Sequence, residues 1–333
     1  MALIKTTLVG SYPVPDWLVA LPGVQALEDA TAVVLKVQEN AGIDLLVDGE
    51  LYRFDVNHPE TNGMIDYFVR PLGNVRTKLS REDLGRFRAL EGMSFRARPA
   101  AVVTGELNEG SLDLIEDCRR VRALTRGPLK FTVTGPHMLC KTLLDLHYGS
   151  TEKLCRALAG ILAGQVKELE AEVVQVDEAN ITGHPGEAEW AAECINIVLE
   201  AIPTTPAVHL CFGNYGGQTI QKGTWEALTA FMGRLRCDHV LVEMAFRGPE
   251  ELKYLAQVDP RIGFGVGVID IKSNIVESAD QVARRIGQAV KALGAERVKY
   301  VNPDCGFWML KRSVADRKIR ALVQGRDLFE GGK

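Results

Sequence analysis

No stretch of this sequence stays apolar for the ~18 residues that a membrane-crossing helix requires, although 46% of the chain is hydrophobic. An excess of positive charge is missing too. The 39 basic residues are outnumbered by 43 acidic ones, and a formal net charge of −4 leaves no basic stripe of the kind that tracks nucleic acid. Cysteine is sparse: seven in 333 residues, an odd number, without the paired short spacings of a disulfide framework or a closed structural zinc site. The first residues, Met1-Ala-Leu-Ile-Lys-Thr-Thr7, lack the apolar core of a secretory signal. Internal repeats, low-complexity tracts and linkers are absent as well. These absences predict a cytoplasmic protein with reduced thiols, no membrane and no nucleic-acid partner.

What is present is a regular alternation. Eight short segments rich in Val, Leu and Ile read as buried strands: Thr6–Gly10, Asp44–Asp48, Phe131–Gly135, Glu172–Asp177, Ala207–Cys211, His239–Glu243, Ile262–Ile269 and Val298–Asn302. Amphipathic stretches with helical spacing lie between most of them: Val24–Ala41, Thr151–Glu170, Gly186–Ala201, Thr224–Leu235, Ser278–Leu293 and Leu310–Leu322. Eight such alternations predict an α/β fold, a (β/α)8 TIM barrel built as one catalytic domain over residues 1–333. A doubly wound open sheet would need a reversal of strand order to form its site, and nothing marks one.

One connection is too long for a simple strand-to-helix turn. Residues 50–130 separate the second and third strands. Within them Phe95–Pro99 and Ala101–Leu107, joined by a tight turn, predict an extra hairpin that caps the barrel mouth as a lid. The insertion also carries Arg70, Arg76, Lys78, Arg81, Arg86, Arg88, Arg96 and Arg98, either a solvated face or a grip for an anionic substrate or partner.

The chemistry collects where the strands end. His209 and Cys211 close Pro206-Ala-Val-His-Leu-Cys211, Glu243 closes His239-Val-Leu-Val-Glu243, and Cys305 follows Val298-Lys-Tyr-Val-Asn-Pro-Asp-Cys305. Two thiolates, an imidazole and a carboxylate suit Zn2+, and parallel staves would bring all four to one mouth. Ligands dispersed over three strands depend on the folded barrel, unlike the clustered pairs of structural zinc. Two thiolates and a carboxylate exceed the charge of the ion, so the site is a poor Lewis acid for carbonyls. It suits a substrate thiol, whose pKa of ~8.5 a metal would lower while leaving the sulfur electron-rich. The expected reaction is attack of that sulfur on an alkyl carbon. Ser11, Asp48, Glu50, Asp177, Glu178, Asp270 and Asp304 also lie at strand ends, as for a shared polar cavity, and His184 in His184-Pro-Gly186 is a candidate pocket residue. Two glycine-rich stretches fail as nucleotide signatures. Gly263-Phe-Gly-Val-Gly267 lies inside a strand with the wrong spacing, and Gly213-Asn-Tyr-Gly-Gly217 lacks a following Lys-Ser/Thr.

In chain order, Thr6-Thr-Leu-Val-Gly-Ser11, Val47-Asp-Gly-Glu50, Arg98-Pro99, Val133-Thr-Gly-Pro136, Gln175-Val-Asp-Glu178, His209-Leu-Cys211, Glu243 and Val301-Asn-Pro-Asp-Cys-Gly306 form a specific set. The chain resembles the C-terminal catalytic domain of the cobalamin-independent methionine synthase family, in particular its short single-domain relatives. The resemblance implies a zinc-containing barrel in which His209, Cys211, Glu243 and Cys305 hold the metal. It implies further that Gly10, Ser11, Glu50 and Asp177 hold homocysteine or a similar amino-acid thiol, with the two carboxylates on its ammonium. The implied activity is zinc-dependent methyl transfer to that thiol. Three departures concern the methyl donor. The extra N-terminal barrel of the long enzymes is missing, His137-Met-Leu-Cys-Lys-Thr142 stands where they have a tryptophan, and Lys272 of Asp270-Ile-Lys272 stands where they have a proton-delivering histidine. Asp270 and Lys272 are therefore candidate catalytic residues, and the donor is open between methyl-folate and a methylated corrinoid protein. The alternative within the superfamily is zinc-dependent addition of a thiol to an epoxide, as with coenzyme M. Outside enzymology, the alternative is a noncatalytic protein with structural zinc.

Overall fold

The computed structural model describes residues 4–54, 62–90, 97–213, 219 and 221–331. Its frame is a ring of eight parallel strands: β1 Lys5–Thr6, β2 Leu46–Val47, β3 Leu129–Thr134, β4 Val173–Glu178, β5 Thr205–Leu210, β6 His239–Val242, β7 Gly263–Ile269 and β8 Val298–Pro303. All eight fall on expected segments. The hydrogen-bonded order runs β1-β8-β7-β6-β5-β4-β3-β2. The two end strands meet through parallel bridges at Thr7–Leu45 and Ser11–Gly49, which close the curled sheet into a barrel.

Continuous apolar runs make sense once both faces are covered. Outward side chains such as Phe131, Val174, Val208 and Phe264 join the main core under the helices. Inward ones form a separate layer of Leu45, Val173, Ala207 and Leu241, with Tyr300 against it. Alternation along each strand then decides what stands above that layer. Val173 inward places Gln175 and Asp177 inward, and Ala207 inward places His209 inward, with Cys211 next in the same series.

The helices follow their sequence signals. Val24–Ala41 has the expected bounds and ends on Gly42 in the left-handed region at φ 85. Ser278 caps Ala279–Leu293 in a reciprocal box with Gln281. Thr151–Val166 and Ala188–Leu199 are shorter than expected, Arg312–Phe329 is longer, and Thr224–Leu235 divides into a 3-10 turn, Trp225–Leu228, and a helix, Thr229–Arg234. Among the described residues no helix is long and apolar enough to cross a membrane.

The insertion departs from the expected hairpin. Val102–Asn108 pairs antiparallel with Gly73–Arg76 and parallel with Leu144–Asp145, so its partners come from far along the chain. Among the described residues, Ala97–Pro99 form no strand against it. Ala100 and Ala101 are instead bonded to Thr142 and Leu144. Phe95 and Arg96 lie outside the described residues. The Leu144–Asp145 strand follows the helix Pro136–Cys140 at the C-terminal end of β3, which ties the small sheet to the mouth side of the barrel. Several insertion cations have local partners: Arg70 with Asp66, Arg76 with Asp83, Arg86 with Glu82, and Arg88 with the Ala97 carbonyl.

Candidate active site

β5 and β8 deliver the central group. His209 lies on β5 and Cys211 just beyond it, while Cys305 follows β8 by two residues. One ligand atom from each lies within 4.8 Å of the others. The two sulfurs are 3.9 Å apart. Two sulfurs bound to one tetrahedral ion at ~2.3 Å would stand about 3.8 Å apart, so the spacing fits zinc without rearrangement. Both ring nitrogens of His209 are buried and unpartnered. A buried imidazole with no partner is costly, and coordination satisfies it. The neighbouring Cys211 thiol, with His209 close by, draws the Cys305 thiol well below its ordinary range, while Cys211 is pushed well above. The pair thus holds one thiolate readily. His209, Cys211 and Cys305 fit a zinc ion.

Glu243, just past β6, is fully buried but is not part of that group of three. Its Oε1 accepts from Lys272 Nζ at 2.7 Å, and its Oε2 lies 3.5 Å from the Phe212 amide nitrogen. Lys272 is set there by its own loop. Its amide donates to Asp270 Oδ1 at 2.8 Å, and the Asp270 amide donates to Glu277 Oε1 at 2.8 Å. Lys318, buried under the loop, donates to Glu277 Oε2 at 2.9 Å.

Facing this group is an acidic wall. The register of β4 with β5 pairs Asp177 with His209. Burial carries the Asp177 carboxyl up to about 7 even with His209 opposing, and Gln175 donates to its Oδ1 at 2.6 Å. Glu50 follows β2 in a left-handed backbone conformation, φ 58, rare for a residue with a side chain. Its Oε1 accepts from Thr132 Oγ1 at 2.6 Å and lies 3.5 Å from Arg53 Nη1. Gly10 permits this, because a Cβ there would come within 2.1 Å of Glu50 Oε1. Ser11 is partly exposed, and its carbonyl accepts from the Phe307 amide at 2.8 Å, which ties it to the Cys305 turn. His184 is further out. Its Nδ1 pairs with the Asn180 carbonyl at 2.9 Å, and its ring centroid is 6.2 Å from that of His137.

Arg53 and Lys130 escape the sequence reading, and His137 and Asp304, named there, have partners that it did not give. Arg53 is buried among the rings of Tyr52, Tyr67, Phe68 and Phe131, and donates to the Thr132 carbonyl at 2.6 Å. Lys130 is fully buried and donates to the Leu8 carbonyl; burial pulls it down to about 7 against the pull of Asp177 and Glu50. His137 lies between Glu178 and Glu187. Burial disfavours its charged ring, but the two carboxylates outweigh that and carry it up to about 10. Asp304 accepts from three consecutive amides, Met244 at 2.8 Å, Ala245 at 2.7 Å and Phe246 at 2.7 Å, and so shapes the turn after Glu243. Gly267 leaves room for it, since a Cβ there would lie 2.1 Å from Asp304 Oδ1. The one available sequence signal was a charge inside or beside an apolar run. Of the Gly213–Gly217 stretch, residues 214–217 lie outside the described residues.

Residues 22–326 match the family described as the cobalamin-independent synthase catalytic domain. The chain belongs to this family. A methionine synthase of Thermococcus kodakarensis is 29% identical, with 100% of this chain and 97% of that protein covered. A 2-hydroxypropyl-CoM lyase of Xanthobacter autotrophicus is also 29% identical, covering 97% and 94%. Among solved structures, a B12-independent methionine synthase from a Shewanella species, in complex with selenomethionine, superposes with a TM-score of 0.80 at 25% identity over 99% of this chain and 98% of that one. The fold shared with that structure covers 99% of this chain, and the candidate site described above lies at the C-terminal ends of its staves.

Proposed function

We propose that this protein is a zinc-dependent transferase that alkylates the sulfur of an amino-acid thiol, with methyl transfer to homocysteine as the favoured reaction. The observation that carries this reading is the convergence of two thiols and an unpartnered, buried imidazole within 4.8 Å, opposite the carboxylates of Glu50 and Asp177. Zinc at His209, Cys211 and Cys305, with Glu243 at the edge, would favour the ionised form of a substrate thiol at neutral pH. The chain's own residues do the rest. Glu50, fixed by Thr132 and Arg53, and Asp177, fixed by Gln175, receive the substrate ammonium. The Gly10–Ser11 segment is placed for its carboxylate, and Asp270 holds Lys272 beside the group. Binding at both ends aligns the sulfur toward the open mouth, where alignment alone contributes up to roughly 7–11 kcal/mol in the best cases.

The donor side of the mouth supports a protein-borne methyl group such as a methylcorrinoid over free methyl-folate. Phe246, Ile275, Trp308 and Met309 are 54%, 78%, 44% and 43% exposed, on loops that follow the adjacent staves β6, β7 and β8. The His137–Glu187 ion pair, in turn, offers a charged wall rather than a stacking ring. A second reading, thiol–epoxide transfer, has the Xanthobacter relative in its favour. The acidic wall disfavours it, since two carboxylates repel a sulfonate thiol that lacks an ammonium.

Mass spectrometry of homocysteine incubated with zinc-loaded protein and, in separate reactions, methylcobalamin, methyl-folate or S-methylmethionine tests the proposal. Methionine formed with at least one donor is expected. Alkylation of coenzyme M by an epoxide, with homocysteine inert, would replace the first reading with the second.

A further inference from the structure

β3 carries a lysine into the barrel. Lys130 is paired with Val173 of the inward layer, so its side chain points to the barrel axis, where it is fully buried. Its ammonium donates to the Leu8 carbonyl and forms no ion pair among the described residues. Two residues on, and so one layer higher on the same face, Thr132 donates to Glu50 Oε1 at 2.6 Å. On the paired strand β4, Gln175 donates to Asp177 Oδ1 at 2.6 Å and to the Val9 carbonyl at 3.0 Å. The lysine therefore stands one layer beneath the two carboxylates of the acidic wall. A buried ammonium without a contact anion is costly, and a lysine so placed loses its proton readily. Burial pulls Lys130 down, and the field of Asp177 and then Glu50 opposes it. The other charges nearby are Arg53, which is 3.5 Å from Glu50 and also in the field of Asp48, and the titratable rings of His209 on β5 and His239 on β6. β7 and β8 turn Gly265, Tyr300 and Asn302 inward, none of them charged at neutral pH. A substrate ammonium set between Glu50 and Asp177 would thus meet a like charge one layer below.

We infer that Lys130 is a positioning residue, the resident counter-cation of Glu50 and Asp177, which yields a proton to solvent when a substrate ammonium arrives between them. The bond that breaks is an N–H of Lys130 Nζ. One positive charge enters with the substrate and one leaves as the proton, so the net charge of the buried site is the same before and after. The neutral amine keeps an N–H for the Leu8 carbonyl and so keeps its place. The consequence is proton-linked recognition of the amine. This inference rests on the reading of Glu50 and Asp177 as receivers of the ammonium, and the experiment separates the two.

Methionine, the S-methylated product of the proposed reaction, is the probe, because it carries the ammonium but no thiol proton. Titration calorimetry of the zinc-loaded protein in buffers of different ionisation enthalpy counts the protons. NMR of protein labelled at lysine Cε follows Lys130, whose resonance is identified by its absence in Lys130→Met. Binding should release about one proton per chain at pH 6 and little at pH 8.5, and the Kd should fall about tenfold from pH 6 to pH 8. On saturation with methionine at pH 6 the Lys130 resonance should move toward the neutral-amine position. Lys130→Arg, a permanent cation, should weaken methionine binding at least tenfold and abolish proton release. Binding without proton release at pH 6, or release with the Lys130 resonance unmoved, overturns the exchange while leaving the amine reading intact. Should one variant fail to fold, the other identifies the resonance and the wild-type protein decides alone. Absence of methionine binding would instead remove the functional reading, and the exchange with it.

Discussion

Asp304→Ala is the sharpest structural perturbation near the site that leaves the three metal-type side chains untouched. The Asp304 carboxylate is fully buried and accepts three amides in a row, Met244, Ala245 and Phe246. A hydrogen bond to a charged group contributes roughly 1.5–3 kcal/mol, and a buried N–H left without a partner costs about 1–3 kcal/mol. Some of the three amides would recover water through the gap, so a loss of about 4 kcal/mol is expected rather than the full sum. Against a typical stability of roughly 5–15 kcal/mol the protein should remain folded. Asp304→Asn should cost about half as much, because its carbonyl can still serve Met244 and Ala245 while its amide faces the Phe246 N–H. Urea unfolding gives the stability change, and native-state hydrogen exchange locates it. The amides of Met244, Ala245 and Phe246 should be protected in wild type and exposed in Asp304→Ala. A loss under about 1 kcal/mol with those amides still protected would refute the claim that Asp304 organises this turn.

Asp48 gives a pH-dependent prediction. Burial raises its carboxyl from 3.8 to about 6 in the folded protein, so the native state binds that proton more tightly than the unfolded chain does. The group therefore costs least below pH 4, and stability erodes as pH rises through 4 to 6. Asp48→Asn, which keeps an acceptor for the Glu50 amide, should be more stable than wild type by up to about 3 kcal/mol at pH 8, with the difference gone at pH 4; an equal difference at both values would contradict this. Gly10→Ala places a Cβ within 2.1 Å of Glu50 Oε1 and must displace that carboxylate. Its KM for an ammonium-bearing thiol should rise at least tenfold with zinc content unchanged, and an unaltered KM would show that Glu50 does not grip the substrate.

Much of the barrel was legible because parallel strands covered on both faces must be apolar throughout, and such runs stand out between amphipathic helices. His209, Cys211 and Cys305 were legible because thiols and an imidazole at the ends of those runs have few structural reasons to be there. The small sheet was not. Val102–Asn108 takes its partners from Gly73–Arg76 and Leu144–Asp145, and edge pairing across such distances leaves no local trace. Lys130 was hidden inside the β3 run, although a lysine two residues before Thr132 on the same face could have marked it as inward. The Lys272–Glu243 pair depends on β6 and β7 being neighbours, which the eight-fold alternation implied but the motif comparison did not use.

The central claim is that a zinc ion held through His209, Cys211 and Cys305 activates a substrate sulfur. Zinc per chain by elemental analysis, measured alongside homocysteine methylation for wild type and Cys305→Ser, tests it most directly. About one zinc and active transfer in wild type, with both lost together in Cys305→Ser, is the predicted result. Stoichiometric zinc and undiminished turnover in Cys305→Ser would contradict it.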